Sequence, residues 1–70
     1  MKFSATIEFL DSGGTALITL FDSTGEWSGG GIVEIRSRSK ADLYEAGYLH
    51  AARAARAKGG RLERFSEVQS

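Results

Sequence analysis

The strongest constraint on this chain is a pair of segments that alternate apolar and polar residues, 2–10 and 15–22, separated by the turn sequence Asp-Ser-Gly-Gly. A period of two is typical of strands that bury one face. Asp and Gly favour the turn, because Asp bonds its own backbone and Gly tolerates positive φ. If Ile7 faces Ile18, the apolar residues of both segments share one side, whereas a slip by one residue separates them. The pattern therefore predicts a β-hairpin of defined register.

The same turn chemistry recurs after the second strand, as Asp-Ser-Thr-Gly, and predicts a third antiparallel strand. Pairing Phe21 with Glu26 would place Trp27 beside the apolar residues of the second strand, on the core side. Val33 lies on that side too if the strand continues past a run of three glycines.

The glycine run, residues 29–31, bears on both structure and function. Glycines inside a strand mark a bulge or a close backbone approach, so residues 32–37 are predicted as strand in preference to residues 26–31. The run does not match a phosphate-binding loop, because such loops open onto a helix N-terminus and this one continues into a strand.

Residues 40–58 are predicted to form an amphipathic helix. Ser39 suits the N-cap with Asp42 three residues later, and two glycines after a cationic last turn favour its end. One side is made mostly of small residues, which allows the helix backbone to lie close to the sheet. That side carries Leu43, Ala46, Gly47, His50, Ala51, Ala54 and Ala57, with Tyr44 and Tyr48 flanking it.

Residues 61–68 contain Leu62, Phe65 and Val68 and predict a short fourth strand. A right-handed crossover through the helix would place it parallel to the third strand in the same sheet. The elements together predict one α+β domain over residues 1–70, a three-stranded antiparallel β-meander with one amphipathic helix on one face and a fourth strand. A chain of 70 residues supports one core, which must be held by packing because cysteine is absent.

Location and cofactors follow from what the sequence lacks. Its start alternates apolar and polar residues and carries Glu8, unlike a signal peptide, and no apolar run reaches the length of a spanning helix. A soluble, cytoplasmic protein is therefore expected. Without thiolates or a Ca²⁺-loop pattern, no metal and no cofactor are expected.

Enzyme chemistry is not favoured by this sequence. The only histidine, His50, lies on the apolar side of the predicted helix, which favours a packing role over that of a general base. No serine or carboxylate is placed beside it by a usable spacing. Ser28 lies near glycines, but the spacing is not G-x-S-x-G and a strand follows it rather than a helix.

The sheet face opposite the helix is predicted to carry apolar residues among acids. One helix covers one face, and exposed apolar residues grouped in this way suggest a partner site, although packing of Leu17 and Phe21 with each other or with the tail remains an alternative. The expected function is that of a non-catalytic interaction protein, a small inhibitor that binds a larger protein or nucleoprotein complex. The predicted partner-binding residues are Glu8, Leu17, Phe21, Glu26, Ile32 and Glu34.

The second half of the chain supports a different function, nucleic-acid binding. The net charge is zero, but acids predominate in the first half and cations in the second, where they can contact phosphates. Cations near a helix end also have an ordinary explanation in the helix dipole and in solubility. The residues of this alternative are Arg36, Arg38, Lys40, Arg53, Arg56 and Arg61.

Two resemblances bear on function. The opening, Met-Lys-Phe followed by Ile7, Glu8 and the Asp-Ser-Gly-Gly turn, resembles that of antitoxins of the HicB type, which also run two strands before a helix. In general character the chain is similar to small phage inhibitors, particularly anti-CRISPR proteins: short, cysteine-free and single-domain, with acidic surface residues and no catalytic constellation. This similarity implies binding to a large nucleoprotein complex, with the acidic face occupying a site meant for nucleic acid.

Overall fold

The computed structural model describes residues 1–10, 13–37 and 39–68. In that part of the chain the predicted α+β layout is confirmed. The elements are β1 (Lys2–Phe9), β2 (Thr15–Phe21), β3 (Trp27–Glu34), α1 (Lys40–Ala57) and β4 (Arg61–Glu67).

The four strands form one mixed sheet in the order β3-β2-β1-β4. The predicted register of the first hairpin is confirmed, with Ile7 opposite Ile18 and Phe9 opposite Ala16. β4 pairs in parallel with β1. Because β1 and β3 are both antiparallel to β2, β4 has the predicted direction relative to β3, but it lies at the opposite edge of the sheet.

The predicted pairing of Phe21 with Glu26 is wrong. Phe21 pairs with Trp27, and the register then shifts so that Leu20 lies opposite Gly29. The extra residue in β3 is a bulge, and a bulge reverses which side the following residues face. Trp27 therefore lies on the face away from the helix, where its side chain is 70% exposed, and not in the core.

β3 contains the whole glycine run and ends at Glu34, so the preference for residues 32–37 over 26–31 as strand is also wrong. Beyond the strand, the Ile35 N–H still donates to the Gly14 carbonyl at 2.8 Å. Gly14 is buried at a φ of 67°, and a Cβ atom there would lie 2.6 Å from the Ile35 carbonyl oxygen. This close approach directs the chain from β3 towards α1. Val33 packs against the core as predicted, and Ile35 also packs against it.

The predicted N-cap of α1 is confirmed, because the Ser39 hydroxyl accepts a hydrogen bond from the Asp42 N–H. The Asp42 carboxylate does not return a bond to the cap residue, as it would in a capping box. It accepts from the Ser37 hydroxyl at 2.8 Å, and the Ser37 oxygen accepts from the Ser39 N–H at 3.1 Å. The Ser37 hydroxyl thus bridges the Asp42 carboxylate and the Ser39 N–H. A Glu side chain would reach that N–H directly, but Asp is shorter.

The helix packs on the sheet through small residues, as predicted, but along a different line. The buried positions are Leu43, Gly47, Ala51 and Ala55, spaced by four. His50 and Ala57, both expected on this side, are exposed. Spacing by four turns about 40° around the helix at each step, so the contact line winds across the surface rather than following one straight stripe.

Gly47 is the point of closest approach between helix and sheet. A Cβ atom there would lie 2.7 Å from Ile7 Cδ1 and 2.8 Å from Ile18 Cδ1. Those two isoleucines are the largest fully buried side chains of the described residues. The large side chains of the core therefore come from the strands, and the small helix residues allow the helix backbone to lie close to the sheet.

A second contact joins α1 to β4. The Phe65 ring meets Tyr44 and Tyr48 edge-on, with ring centroids 4.9 and 5.7 Å apart. The Tyr44 hydroxyl also donates to the Phe65 carbonyl at 3.1 Å. These contacts hold the last strand against the helix and complete the covered side of the sheet.

The turn between β2 and β3 is organised by Asp22. Its Oδ1 accepts from the Thr24 hydroxyl, from the Thr24 N–H at 2.9 Å and from the Glu26 N–H at 3.1 Å. The Gly25 N–H closes the turn on the Asp22 carbonyl at 3.0 Å. These bonds, led by that of the Thr24 hydroxyl, lower the pKa of the Asp22 carboxyl below its ordinary value. The equivalent prediction for Asp11 falls outside the described residues.

We expect Gly47→Leu to lower the free energy of unfolding by about 1–3 kcal/mol, because the added side chain overpacks the space above Ile7 and Ile18. Urea denaturation measures the change. The control is Ala57→Leu, which adds the same atoms at an exposed helix position. Equal midpoints for the two variants would show that position 47 does not face the sheet.

We expect the stability contributed by Asp22 to be present at neutral pH and to be lost as the pH falls from 3.8 through the lowered native pKa. The unfolded chain takes up the proton first, so protonation favours unfolding. The stability difference between wild type and Asp22→Asn should therefore narrow on acidification, as measured by urea denaturation across that range. Ser23→Ala, in the same turn and without an ionisable side chain, is the control and should show no narrowing.

Candidate functional site

The face of the sheet opposite α1, here called the open face, is not covered by any other helix or strand of the described residues. Its members follow from the strand registers, because paired residues share a face. They form cross-strand rows, of which one runs Trp27, Phe21, Ser4 and Arg64. The position of each predicted site residue on the open face can therefore be given by the row to which it belongs.

Four large apolar side chains, here called the apolar cluster, occupy the open face: Leu17, Phe21, Trp27 and Ile32. Leu17 pairs with Ile32, and Phe21 pairs with Trp27. Trp27 is 70% exposed and Ile32 54%, while Leu17 and Phe21 are half-buried. Large apolar side chains exposed side by side on one surface are characteristic of interaction sites.

Gly30 joins the two halves of the apolar cluster. It pairs with Thr19 between the Leu17–Ile32 row and the Phe21–Trp27 row. A Cβ atom at Gly30 would lie 3.9 Å from Trp27 Nε1, so the indole lies alongside this bare stretch of backbone. The requirement for glycine at position 30 comes from the backbone, because the same Cβ atom would lie 2.9 Å from the Ile18 carbonyl oxygen.

The charges on the open face separate into two ends. Glu8 pairs with Leu17, and Glu34 pairs with Thr15 in the next row, which makes one end acidic. Lys2 and Arg61 pair at the opposite end. Lys2 and Glu8 are six residues apart on β1, about 20 Å. The expectation of an acidic face therefore holds at one end only, because Arg61 and Arg64 of β4 join Lys2 of β1 at the other end. Glu63 of β4 lies 3.5 Å from the Lys2 ammonium there.

Five of the six predicted partner-binding residues lie together on this face, and Glu26 does not. Glu26 lies in the turn before β3, where its N–H donates to Asp22. Its expected position depended on the pairing with Phe21 that the bulge displaces. Trp27 was missed for the same reason. The glycine run did indicate a bulge in this strand, but not that the extra residue is Ser28, immediately before the run, which turns Trp27 to the open face.

The residues of the nucleic-acid alternative are not brought together into one surface. Arg36 follows β3, and Lys40 begins α1, where its ammonium lies 4.9 Å from the centre of the Phe9 ring. Arg53 and Arg56 lie at least 13 residues further along the helix, about 20 Å away, and Arg61 is on the open face. Arg38 lies outside the described residues.

His50 and Ser28 both line a cleft between β3 and α1, which sequence spacing did not predict. The His50 side chain is exposed and lies over Gly31, where a Cβ atom would be 3.0 Å from Nε2. No hydrogen bond joins His50 to Ser28 among the described residues. Those residues also contain no group of three or more potential metal ligands.

Comparison with known proteins adds no identity: the chain matches no protein-family model, no curated protein and no solved structure. Within residues 1–10, 13–37 and 39–68, no helix is both long and apolar enough to cross a bilayer. Function must therefore be inferred from the surface chemistry of this chain.

We expect Trp27→Ala to lower the free energy of unfolding by about 1 kcal/mol or less, because it removes one exposed cross-strand contact. Leu20→Ala is the matched comparison, since Leu20 neighbours the bulge and is buried, and it should cost about 2–5 kcal/mol. Urea denaturation of the two variants measures both values. A loss at Trp27 as large as that at Leu20 would place the indole in the core.

Proposed function

We propose that the protein is a non-catalytic interaction protein, a small inhibitor that binds a larger protein or nucleoprotein complex through its open face. The observation that carries this proposal is the apolar cluster, in which the Trp27 side chain is 70% exposed beside Gly30. Exposed tryptophans on such surfaces are frequent centres of binding energy. Burial of the cluster would require a partner, since no described part of the chain covers it.

The cluster is also preorganised for binding. Its side chains stand on paired strands of a four-stranded sheet, with Phe21 and Leu17 held on β2 between β1 and β3. A rigid surface loses little conformational entropy on association. The two central threonine positions, Thr6 and Thr19, provide a short polar strip within the same face.

The acidic end of the open face indicates which part of a partner it would meet. Glu8 and Glu34 adjoin the Leu17–Ile32 pair. Carboxylates beside an apolar contact favour a basic protein surface and steer association towards it. A groove that binds nucleic acid has that character, which agrees with the similarity to anti-CRISPR proteins in general character.

The apolar cluster should be the contact surface in a photo-crosslinking experiment. A photoreactive amino acid in place of Ile32 should crosslink to a protein when the chain is mixed with nuclease-treated lysate of its source cells. The matched control replaces Tyr48, which is 45% exposed on the helix side of the sheet, packs on Phe65 and lies outside the cleft between β3 and α1. Trp27→Ala should reduce the crosslinked product about tenfold or more.

Retention of the crosslinked product in Trp27→Ala, or equal products from positions 32 and 48, would contradict this function. Glu8→Lys with Glu34→Lys should slow association, whereas Arg56→Glu should leave it intact, because only the two glutamates lie on the open face.

A second candidate function, binding of single-stranded nucleic acid, is favoured by one row of the open face. Trp27, Phe21 and Arg64 lie in the same row, with the Lys2–Arg61 pair adjacent to it. Aromatic rings beside cations bind single strands by stacking and phosphate contacts. The aliphatic pair and the two glutamates on the same face favour protein instead.

Fluorescence anisotropy with labelled oligothymidine tests this second candidate. Tight binding that weakens steeply with salt and is lost in Arg61→Glu with Arg64→Glu would replace the protein-binding function.

A further inference from the structure

The two edges of the sheet are built differently. β4 carries four charged residues, Arg61, Glu63, Arg64 and Glu67, and its register with β1 is interrupted by an irregularity. Charges and bulges are the usual means of preventing an edge strand from pairing with another chain. β3, at the other edge, is uncharged from Trp27 to Val33. Only the β3 edge is therefore open to an additional strand.

The outward backbone groups of β3 can be assigned from its ladder. The Ile35 N–H bonds inward to Gly14, and antiparallel pairing alternates inward and outward residues. Gly30, Ile32 and Glu34 consequently direct their N–H and C=O groups away from β2. Gly30 has no side chain to shield these groups, so a row of donors and acceptors is accessible along the edge.

A groove follows the same edge between β3 and α1. One part is a cavity of about 190 Å³ between the glycine run and His50, Ala54 and Lys58. A second cavity of about 390 Å³ shares His50 and extends along the helix to Arg53. The glycines at 29 and 31 pair with core residues of β2 and so lie on the helix side, where they leave the groove unfilled.

The charge of the groove defines its occupant. Its helix wall carries Arg53 and Lys58 beside His50, and none of the described residues that line it is acidic. A second copy of this chain added antiparallel at β3 would bring its own Arg53 and Lys58 towards these cations. A partner segment with carboxylates meets no such repulsion.

We propose that the β3 edge and the β3–α1 groove form a strand-addition site for an extended acidic segment of a partner protein. The segment pairs with the outward backbone groups at Gly30, Ile32 and Glu34. Its alternate side chains enter the groove beside His50, and its carboxylates meet Arg53 and Lys58. Main-chain bonds supply affinity and the groove supplies specificity. This site does not require the open face to bind anything.

The test uses the full chain and two fluorescein-labelled peptides, acetyl-Thr-Val-Glu-Val-Glu-Val-Thr-amide and its counterpart with Lys in place of Glu. The acidic peptide should bind about tenfold or more tightly in fluorescence anisotropy. Amide hydrogen exchange should slow at Ile32 and Glu34 on binding. Equal affinities, or no protection along β3, would overturn the proposal.

Two variants at one position isolate the backbone contribution. Ile32→Pro removes an outward N–H and no ladder bond, which an edge strand tolerates, and should reduce binding about tenfold or more. Ile32→Val keeps that N–H and most of the side chain, which also borders the second cavity, so its affinity should stay near that of wild type. Loss in both variants, with loss in Trp27→Ala, would assign the peptide to the open face and overturn the strand-addition site.

A charge reversal keeps the test decisive should Ile32→Pro fail to fold. Lys58→Glu, at an exposed position after α1, should weaken the acidic peptide about tenfold and reverse the preference between the peptides. Arg56→Glu, outside the groove, is the matched control and should change neither. A concentration-dependent dimer that blocks peptide binding, detected by light scattering, would overturn the proposal in favour of a second copy.

Discussion

Gly47 of α1 lies directly over Ile7 and Ile18, and this contact sets the distance between the helix and the sheet. No side chain separates the helix backbone from the two most deeply buried isoleucines. Ala51 and Ala55, fully buried on the same line, extend this close packing towards the helix C-terminus. Interiors of proteins are packed to crystal-like density, so this small core has little room for adjustment.

The remaining architecture depends on that single helix. An α-helix is about 10 Å across, and strands in a sheet lie about 4.8 Å apart, so one helix cannot cover four strands evenly. Contacts through Phe65 draw α1 to the β4 edge. The β3 edge is left with a groove beside it, and the opposite face of the sheet has no helix at all. The groove at the β3 edge and the open face thus have the same cause, which is that a single helix covers only part of the sheet.

The glycine run of β3 contributes to both surfaces. The bulge beside it turns Trp27 onto the open face, where the indole lies alongside Gly30. On the other side of the strand, Gly31 leaves space that the His50 ring partly occupies. Three consecutive residues without side chains weaken a strand, which costs stability. In this protein the three glycines leave the backbone of β3 accessible to a partner, and they lie next to the exposed Trp27 ring.

The amino-acid sequence by itself determined the elements, the register of the first hairpin, the N-cap at Ser39 and the Asp22 turn, because periodicity, capping and turn chemistry act over a few neighbouring residues. It also indicated that Leu17, Phe21 and Ile32 share a face. Only the tertiary structure decided that Trp27 joins them, that β4 lies beside β1, and that Ala55 rather than His50 is buried. A bulge adds one residue to a strand and so reverses the side to which the neighbouring side chains point, without altering the apolar pattern of the sequence. The edge at which β4 pairs and the rotation of the helix about its axis depend on packing between segments that are distant in the sequence.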